Sequence, residues 1–325
     1  AGWISPAFSN CCRPMTDSLL LPPGMAVIER GWLNANHVLF RENDNDGAVL
    51  IDSGYVTHAD TTLALLRSPD ALGERPLARV LNTHCHSDHM GGNARLQREY
   101  GAQVWVPEAE APHIQSWDQA ALWLDDAGQQ AEPFRVDGLL RPGESLLLGQ
   151  TEWQLLAAPG HRNEALMFYA PEYRILISGD ALWQNGLGAV LPDADLAGLA
   201  AAQATLELIA ALDVDWVIPG HGAPFGDVQQ ALSTAGKRLQ QWRADPQRWA
   251  DSLIKSLLLF NLLEQGSMAV AALPDYLQSL PLLRDASQRL QALSAQQLAE
   301  NVLQQLRAAG LVRVHDGMLL PLLPA

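Results

Sequence analysis

Short apolar runs and long amphipathic runs divide this chain unevenly. Over the first 225 residues, runs of four or five apolar residues alternate with helical spacings and turn residues. Met25-Glu29, Asn36-Phe40 and Ala48-Ile51 read as strands, the last two separated by the turn Asn43-Gly47. A helix is expected over Ala59-Leu66, a buried strand over Ala78-Asn82, a helix over Ala94-Tyr100 and a strand over Gln103-Val106. Residues 107–130 read as helical, with Trp117 and Trp123 as core or lid residues. Ser145-Leu148, Glu152-Ala157, Leu166-Tyr169 and Arg174-Ser178 return to strand spacing. Ala197-Leu212 reads as a helix with Asp195 as its N-cap, and Trp216-Ile218 as a final strand. Alternating strands and helices, with polar motifs at strand ends, point to an α/β layered fold whose site collects loops from one sheet edge.

The pattern changes after residue 226. Ala250-Leu263, Pro274-Leu280, Ser287-Leu293 and Ser294-Ala309 read as helices, the last with Ser294 as N-cap and Gly310 past its end. Leu311-Val314 and Met318-Leu320 flank the turn His315-Asp316-Gly317 as a hairpin. The division expected is an N-terminal extension over 1–14 outside the fold, a catalytic domain over 15–235 and a helical domain over 236–325. That last domain is either winged-helix-like or a plain helical cap. Met15 reads as a native start.

The formal charge is −15, and residues 240–325 carry seven basic and seven acidic residues, so the acid excess lies before them. Such a surface disfavours general binding to nucleic acid or anionic lipid. The Ser294-Ala309 helix has one basic residue, Arg307, which argues against DNA. No apolar run reaches the roughly 18 residues of a membrane helix. The three cysteines (Cys11, Cys12, Cys85) suggest no disulfide framework, which makes a reducing cytoplasm the default location.

The chemistry concentrates in Thr83-His84-Cys85-His86-Ser87-Asp88-His89, which holds three of the nine histidines. Imidazole and carboxylate suit zinc and its first-row neighbours. Histidines at i and i+2 on extended backbone share a side, and the Asp-His pair after them can turn to a second point. This spacing suits two metals better than one. Cys85 should alternate away and pack inward. Later strands end in His161, Asp180 and His221, each preceded by Gly, which lets the backbone approach closely. Of the remaining histidines, His58, His113 and His315 read as ordinary surface or core residues, whereas His37 could face the site. Arg162 could bind a substrate carboxylate or form a salt bridge, and Trp183 could wall a pocket or join the core.

Taken in order, Asp52, His84-Cys85-His86-Ser87-Asp88-His89, His161, Asp180 and His221 resemble the metallo-β-lactamase superfamily over about residues 25–225. The resemblance implies a four-layer αββα sandwich with a dinuclear centre at one edge, here followed by a smaller, mostly helical C-terminal domain. It implies that His84, His86 and His161 hold one metal, that Asp88, His89 and His221 hold the other, and that Asp180 bridges them. Asp52 would support the ligand loop from behind. Two divalent ions are implied, zinc by default, with iron or manganese also accepted by such ligands. The activity implied is hydrolysis of a small thioester, ester or lactone by a metal-bridging hydroxide, with Asp88 orienting it and taking its proton. Asp180 stands where lactam hydrolases of this fold carry Cys or Ser. Gly179-Asp180-Ala181-Leu182-Trp183 and Asp88-His89-Met90-Gly91-Gly92 resemble glyoxalase II, but that enzyme's basic glutathione-binding cluster has no clear counterpart. Alternatives of the same fold are an endoribonuclease or phosphodiesterase, and a mononuclear iron sulfur dioxygenase; a non-catalytic binding protein is a further one. Small molecules are the expected partners, with RNA disfavoured and a homodimer compatible.

Overall fold

The computed structural model describes residues 19–41, 47–191, 195–289 and 293–323. The expected extension over 1–14, Met15, Cys11, Cys12, most of the Asn43-Gly47 turn and residues 290–292 of the expected Ser287-Leu293 helix lie outside the described residues.

Two sheets stack face to face. The first holds six strands in sequential order: β1 (Met25–Ile28), β2 (His37–Phe40), β3 (Ala48–Ile51), β4 (Leu77–Leu81), β5 (Gln103–Pro107) and β6 (Gly138–Leu140). β1 to β3 are antiparallel, and β3 to β6 run parallel. The second sheet holds β7 (Ser145–Leu148), β8 (Thr151–Ala157), β9 (Leu166–Ala170), β10 (Ile175–Gly179) and β11 (Trp216–Pro219), with only β10 and β11 parallel.

Strand alternation builds three apolar layers from these two sheets. Val38, Phe40, Val49 and Ile51 face inward and meet Trp153, Leu155 and Phe168 of the opposite sheet. The residues between them, Leu39 and Leu50, face outward and pack with Leu66, Leu96 and Ile114. On the far sheet, Met167, Leu176 and Val217 face outward to Leu199, Leu206 and Leu239 of the helices Ala197–Ala211 and Val228–Ala244. Helices therefore cover both outer faces, giving the αββα order.

Several local expectations change. Residues 107–130 form only short helical pieces, a 3₁₀ turn over Glu108–Glu110 and the helices Ala111–Ser116 and Leu124–Ala127, with Trp117 and Trp123 in left-handed backbone (φ 51° and 57°) interrupting the run. Asp195 does not cap the Ala197–Ala211 helix: Leu196, in left-handed backbone, occupies the cap position with no side-chain hydrogen bond. The helix placed at Ser287-Leu293 begins earlier, at Pro281, and its described part ends at Arg289. Ser294 does cap the Ala295–Ala308 helix, in a reciprocal capping box with Gln297.

The C-terminal region starts from the Pro246–Gln265 helix, capped by Asp245. The short strand β12 (Met268–Ala269) follows, then three helices, then the hairpin β13 (Val312–His315) and β14 (Met318–Pro321). β14 pairs with both β12 and β13, so a three-stranded sheet closes the helical cluster around Leu258, Leu262, Leu298 and Val302. Among the described residues, no helix is long and apolar enough to cross a membrane.

Trp153 is fully buried between the two main sheets, its ring edge-on to Phe40 at 5.5 Å. Trp153→Ala is expected to cost about 3–5 kcal/mol in urea unfolding, with the cavity left between the sheets as the cause.

Candidate metal centre

The site lies at one edge of the sandwich, where β3, β4, β8, β10 and β11 end. Asp52 follows β3; the histidine motif follows β4; His161, Asp180 and His221 follow β8, β10 and β11. Three glycines make the later approaches feasible. Gly160 (φ 133°) lies so close to the Ala197–Ala211 helix that a Cβ would sit 2.6 Å from the Ala202 backbone. Gly179 (φ 50°) takes left-handed backbone just before Asp180. At Gly220 a Cβ would stand 2.2 Å from Asp180 Oδ1.

Two trios of donors result. His84 Nε2 and His161 Nε2 lie 3.0 Å and 2.8 Å from His86 Nδ1. His221 Nε2 lies 3.0 Å from Asp88 Oδ2, and His89 Nε2 lies 3.8 Å from the same oxygen. Asp180 spans both: Oδ2 is 3.3 Å from His161 Nε2, and Oδ1 is 3.5 Å from His89 Nε2 and 3.8 Å from His221 Nε2. All seven residues are buried or nearly so.

The fit to cations follows from tautomers. His161 Nδ1 donates to the Ala189 carbonyl, so a neutral ring carries its lone pair on Nε2, aimed into the first trio. His89 Nδ1 donates to Asp52 Oδ2 at 2.8 Å, which leaves its Nε2 lone pair aimed into the second. That buried Nε2 has no hydrogen-bond partner among the described residues. Lone pairs converging on one buried point repel one another unless a cation lies between them. The donor set therefore suits two divalent ions, with Asp180 between them.

Electrostatics supports the same reading. Burial, and then the neighbouring His89 and His86, holds His84 well below the usual histidine range. Burial and His161 do the same to His86, and burial also lowers His161. The first trio is thus neutral and ready to bind metal. For His89 burial works the other way, but Asp52, Asp88 and Asp180 outweigh it and hold the ring well above its ordinary value, so these carboxylates favour positive charge at the second trio, either a proton on Nε2 or a cation in its place. Burial would raise Asp180, yet His221 and His89 beside it hold its carboxyl well below the carboxylate range.

Asp52 braces the centre from behind. Its Oδ1 accepts from the Thr83 backbone N–H at 2.9 Å, and its Oδ2 accepts from the Thr83 hydroxyl and from His89. It does so from left-handed backbone (φ 59°), a conformation rare outside glycine. Trp183 lines the site: its indole N–H donates to Asp180 Oδ1 at 3.1 Å, and its ring meets His221 edge-on at 5.3 Å. Cys85 points away and is buried among the apolar residues beneath the first sheet.

Two candidates from the sequence lie elsewhere. Arg162 does not reach the cleft and is not a surface salt bridge. Its guanidinium is buried, donating to both oxygens of Glu110 at 2.9 Å and 3.0 Å, and it stacks 5.0 Å over Trp123. His37 is fully buried between Arg30 and Thr62 and lines no part of the cleft.

Other contacts at the site carried little or no signal in the sequence. Trp32 stacks on His221 with planes 4° apart and centroids 5.7 Å away. Trp123, expected only as a core or lid residue, lies 4.7 Å from His86. Asn36, next to the singled-out His37, donates to the Pro219 and Gly222 carbonyls and so clamps the His221 loop.

From the trios a cleft of about 350 Å³ runs towards the C-terminal region. Trp32, Trp123 and Trp183 wall its metal end, and Leu253, Leu257 and Phe260 of the Pro246–Gln265 helix wall the other.

Residues 30–221 match the metallo-beta-lactamase superfamily, more than half of the chain, and the protein belongs to that superfamily. An acyl-coenzyme A thioesterase MBLAC2 from Gallus gallus is 32% identical over 178 residues, covering 50% of this chain and 62% of that protein. The match thus spans less than two thirds of the chicken protein. Its namesake from Homo sapiens is 28% identical over 215 residues, covering 59% of this chain and 74% of that protein. A hydroxyacylglutathione hydrolase from Bartonella quintana is 34% identical over 149 residues, 45% of this chain and 51% of that protein. Among solved structures, a metallo-beta-lactamase family protein from Thermus thermophilus superposes with a TM-score of 0.56 over 92% of this chain and 98% of its own, at 20% identity. That likeness speaks for the fold alone.

Gly220→Ala should push Asp180 out of its place between the trios. Metal retained after dialysis is expected to fall at least about tenfold, by elemental analysis of the folded variant; full retention would show that the close approach is dispensable.

Proposed function

We propose that this chain is a dinuclear metal-dependent hydrolase of thioesters. The observation that carries the reading is Asp180. Its two carboxylate oxygens face separate donor trios, which joins them into one centre. The named activities of the similar proteins, acyl-coenzyme A thioesterase and hydroxyacylglutathione hydrolase, both cleave thioesters and support that substrate class.

His84, His86 and His161 would hold one metal and Asp88, His89 and His221 the other, with Asp180 shared. Bound there, two divalent cations lower the pKa of water near them and stabilise negative charge on a carbonyl oxygen. Zinc is the default ion for this donor set.

The chain's own residues supply positioning and proton handling. Asp88 lies on the cleft side of the second trio. Its carboxylate accepts the proton that water gives up as the water oxygen attacks the thioester carbon, and returns it to the thiolate that leaves as the C–S bond breaks. Trp183 holds Asp180 in place through its indole N–H. Trp32 and Trp183 pack against His221 and exclude bulk water from that side of the centre. Asp52 fixes the ring of His89, and the Glu110–Arg162 pair fixes Trp123 against His86. A buried, paired guanidinium there costs little charge in the cleft while setting a wall.

A panel of thioesters, lactones and phosphodiesters assayed on metal-loaded protein tests the reading. Thioesters are expected to be hydrolysed with kcat/KM at least about a hundredfold above the phosphodiesters. Asp88→Asn should lower kcat by about 10²–10⁴-fold, and Asp180→Ala should lower metal content and turnover together. One iron per chain with no hydrolysis would overturn it.

A further inference from the structure

The cleft is larger and more apolar than cleavage of a two- or three-carbon acyl group requires. Beyond the metal end, its wall comes from outside the catalytic sandwich. Ser252, Ser256, Leu259 and Leu263 recur at helical spacing along the Pro246–Gln265 helix, so one stripe of this helix faces the space. Leu282, in the Pro281–Arg289 helix, and Leu311, just before β13, continue the wall. Leu257, Leu259 and Phe260 are only half-buried, although their neighbours Leu258 and Leu262 are fully packed in the C-terminal core. They present apolar surface to an open space joined directly to the metal centre.

We infer that this cleft holds a straight, medium-length acyl chain, with the C-terminal helix as the acyl-binding wall. The inference rests on the thioester reading for what is cleaved, but the cleft's chemistry argues for the chain by itself. Apart from the ligands at the metal end, the polar side chains along it are few: Gln129, Arg238, Ser252 and Ser256, with the indole N–H of Trp183 already donated to Asp180. Arg238 is the one cation among the residues that line it, and its guanidinium donates to the Asn185 carbonyl. A polyanionic thiol carrier, with phosphates or several carboxylates, would lose more hydration on entry than one guanidinium returns. The polar thiol half therefore stays outside, and the acyl half enters. At about 30 Å³ for a water-sized group, 350 Å³ accommodates an alkyl chain of roughly ten to twelve carbons.

Two measurements test this on the full chain. The first is a series of straight-chain acyl-coenzyme A esters, acetyl to hexadecanoyl, turned over by the metal-loaded protein. kcat/KM should rise about two- to fourfold per added methylene and level off near ten to twelve carbons. The second is titration of the metal-free protein with dodecanoate, read by the fluorescence of the tryptophans around the cleft. Saturable binding is expected, at least about tenfold tighter than octanoate. Ser256→Trp, on an exposed helix position, should narrow the space. It is expected to lower the dodecanoyl-to-acetyl ratio of kcat/KM at least about tenfold and to weaken dodecanoate binding, with the thermal midpoint reporting that the variant is folded. Leu257→Ala should move the plateau to longer chains. A flat chain-length series without dodecanoate binding would overturn the acyl-chain inference and leave the hydrolase reading standing. Chain-length-dependent binding without hydrolysis of any thioester would overturn the hydrolase reading and support the cleft as an acyl site.

Discussion

Imidazole nitrogens and carboxylate oxygens are held here within about hydrogen-bonding distance of one another in a buried space. The His84, His86 and His161 nitrogens meet at 2.8–3.0 Å. Lone pairs do not choose such neighbours, so the rest of the structure must hold them there. β4, β8, β10 and β11 end at the same edge, and glycines at 160, 179 and 220 remove the side chains that would keep the loops apart. Asp52, Asn36, Glu110 and Arg162 then brace the loops from behind with buried, nearly saturated polar contacts. Asp52 fixes which nitrogen of His89 faces inward, and the Ala189 carbonyl does the same for His161.

Much of this was readable from the sequence because the information is local. A polar residue that follows an apolar strand and a glycine declares its own position, as His161, Asp180 and His221 do, and the fold brings these three together at one edge. The strands were legible too, and within them alternation sorts the layers: Leu39 and Leu50 pack outward while Val38, Phe40, Val49 and Ile51 pack between the sheets. What could not be read depends on contacts between distant segments. Asn36 clamps carbonyls at 219 and 222, and Glu110 pairs with Arg162. No spacing rule connects those positions. The run from 107 to 130 carries apolar residues at helical intervals, yet left-handed Trp117 and Trp123 break it, and tertiary packing of Trp123 against His86 and Arg162 accompanies that break. His37, which from its sequence could face the site, is spent on Arg30 and Thr62, and the site uses Asn36 beside it.

The Pro246–Gln265 helix shows the same limit. In sequence Ala250-Leu263 reads simply as a helix. In the fold, one part of its apolar surface builds the C-terminal core, while another part turns to the metal centre. The catalytic sandwich thus carries the proposed chemistry, and the appended region shapes the space in which an acyl group would sit. The two-metal reading and the cleft reading are physically independent. The first rests on donor geometry at the sheet edge, and the second on apolar surface that the helix leaves open.

Metal stoichiometry tests the central claim most directly. Chelator-stripped protein titrated with zinc at equilibrium, with bound and free metal measured, should take up two ions per chain at the His and Asp trios. Uptake that stops at one ion, or none beyond loose surface binding, would contradict a centre in which Asp180 joins two metals.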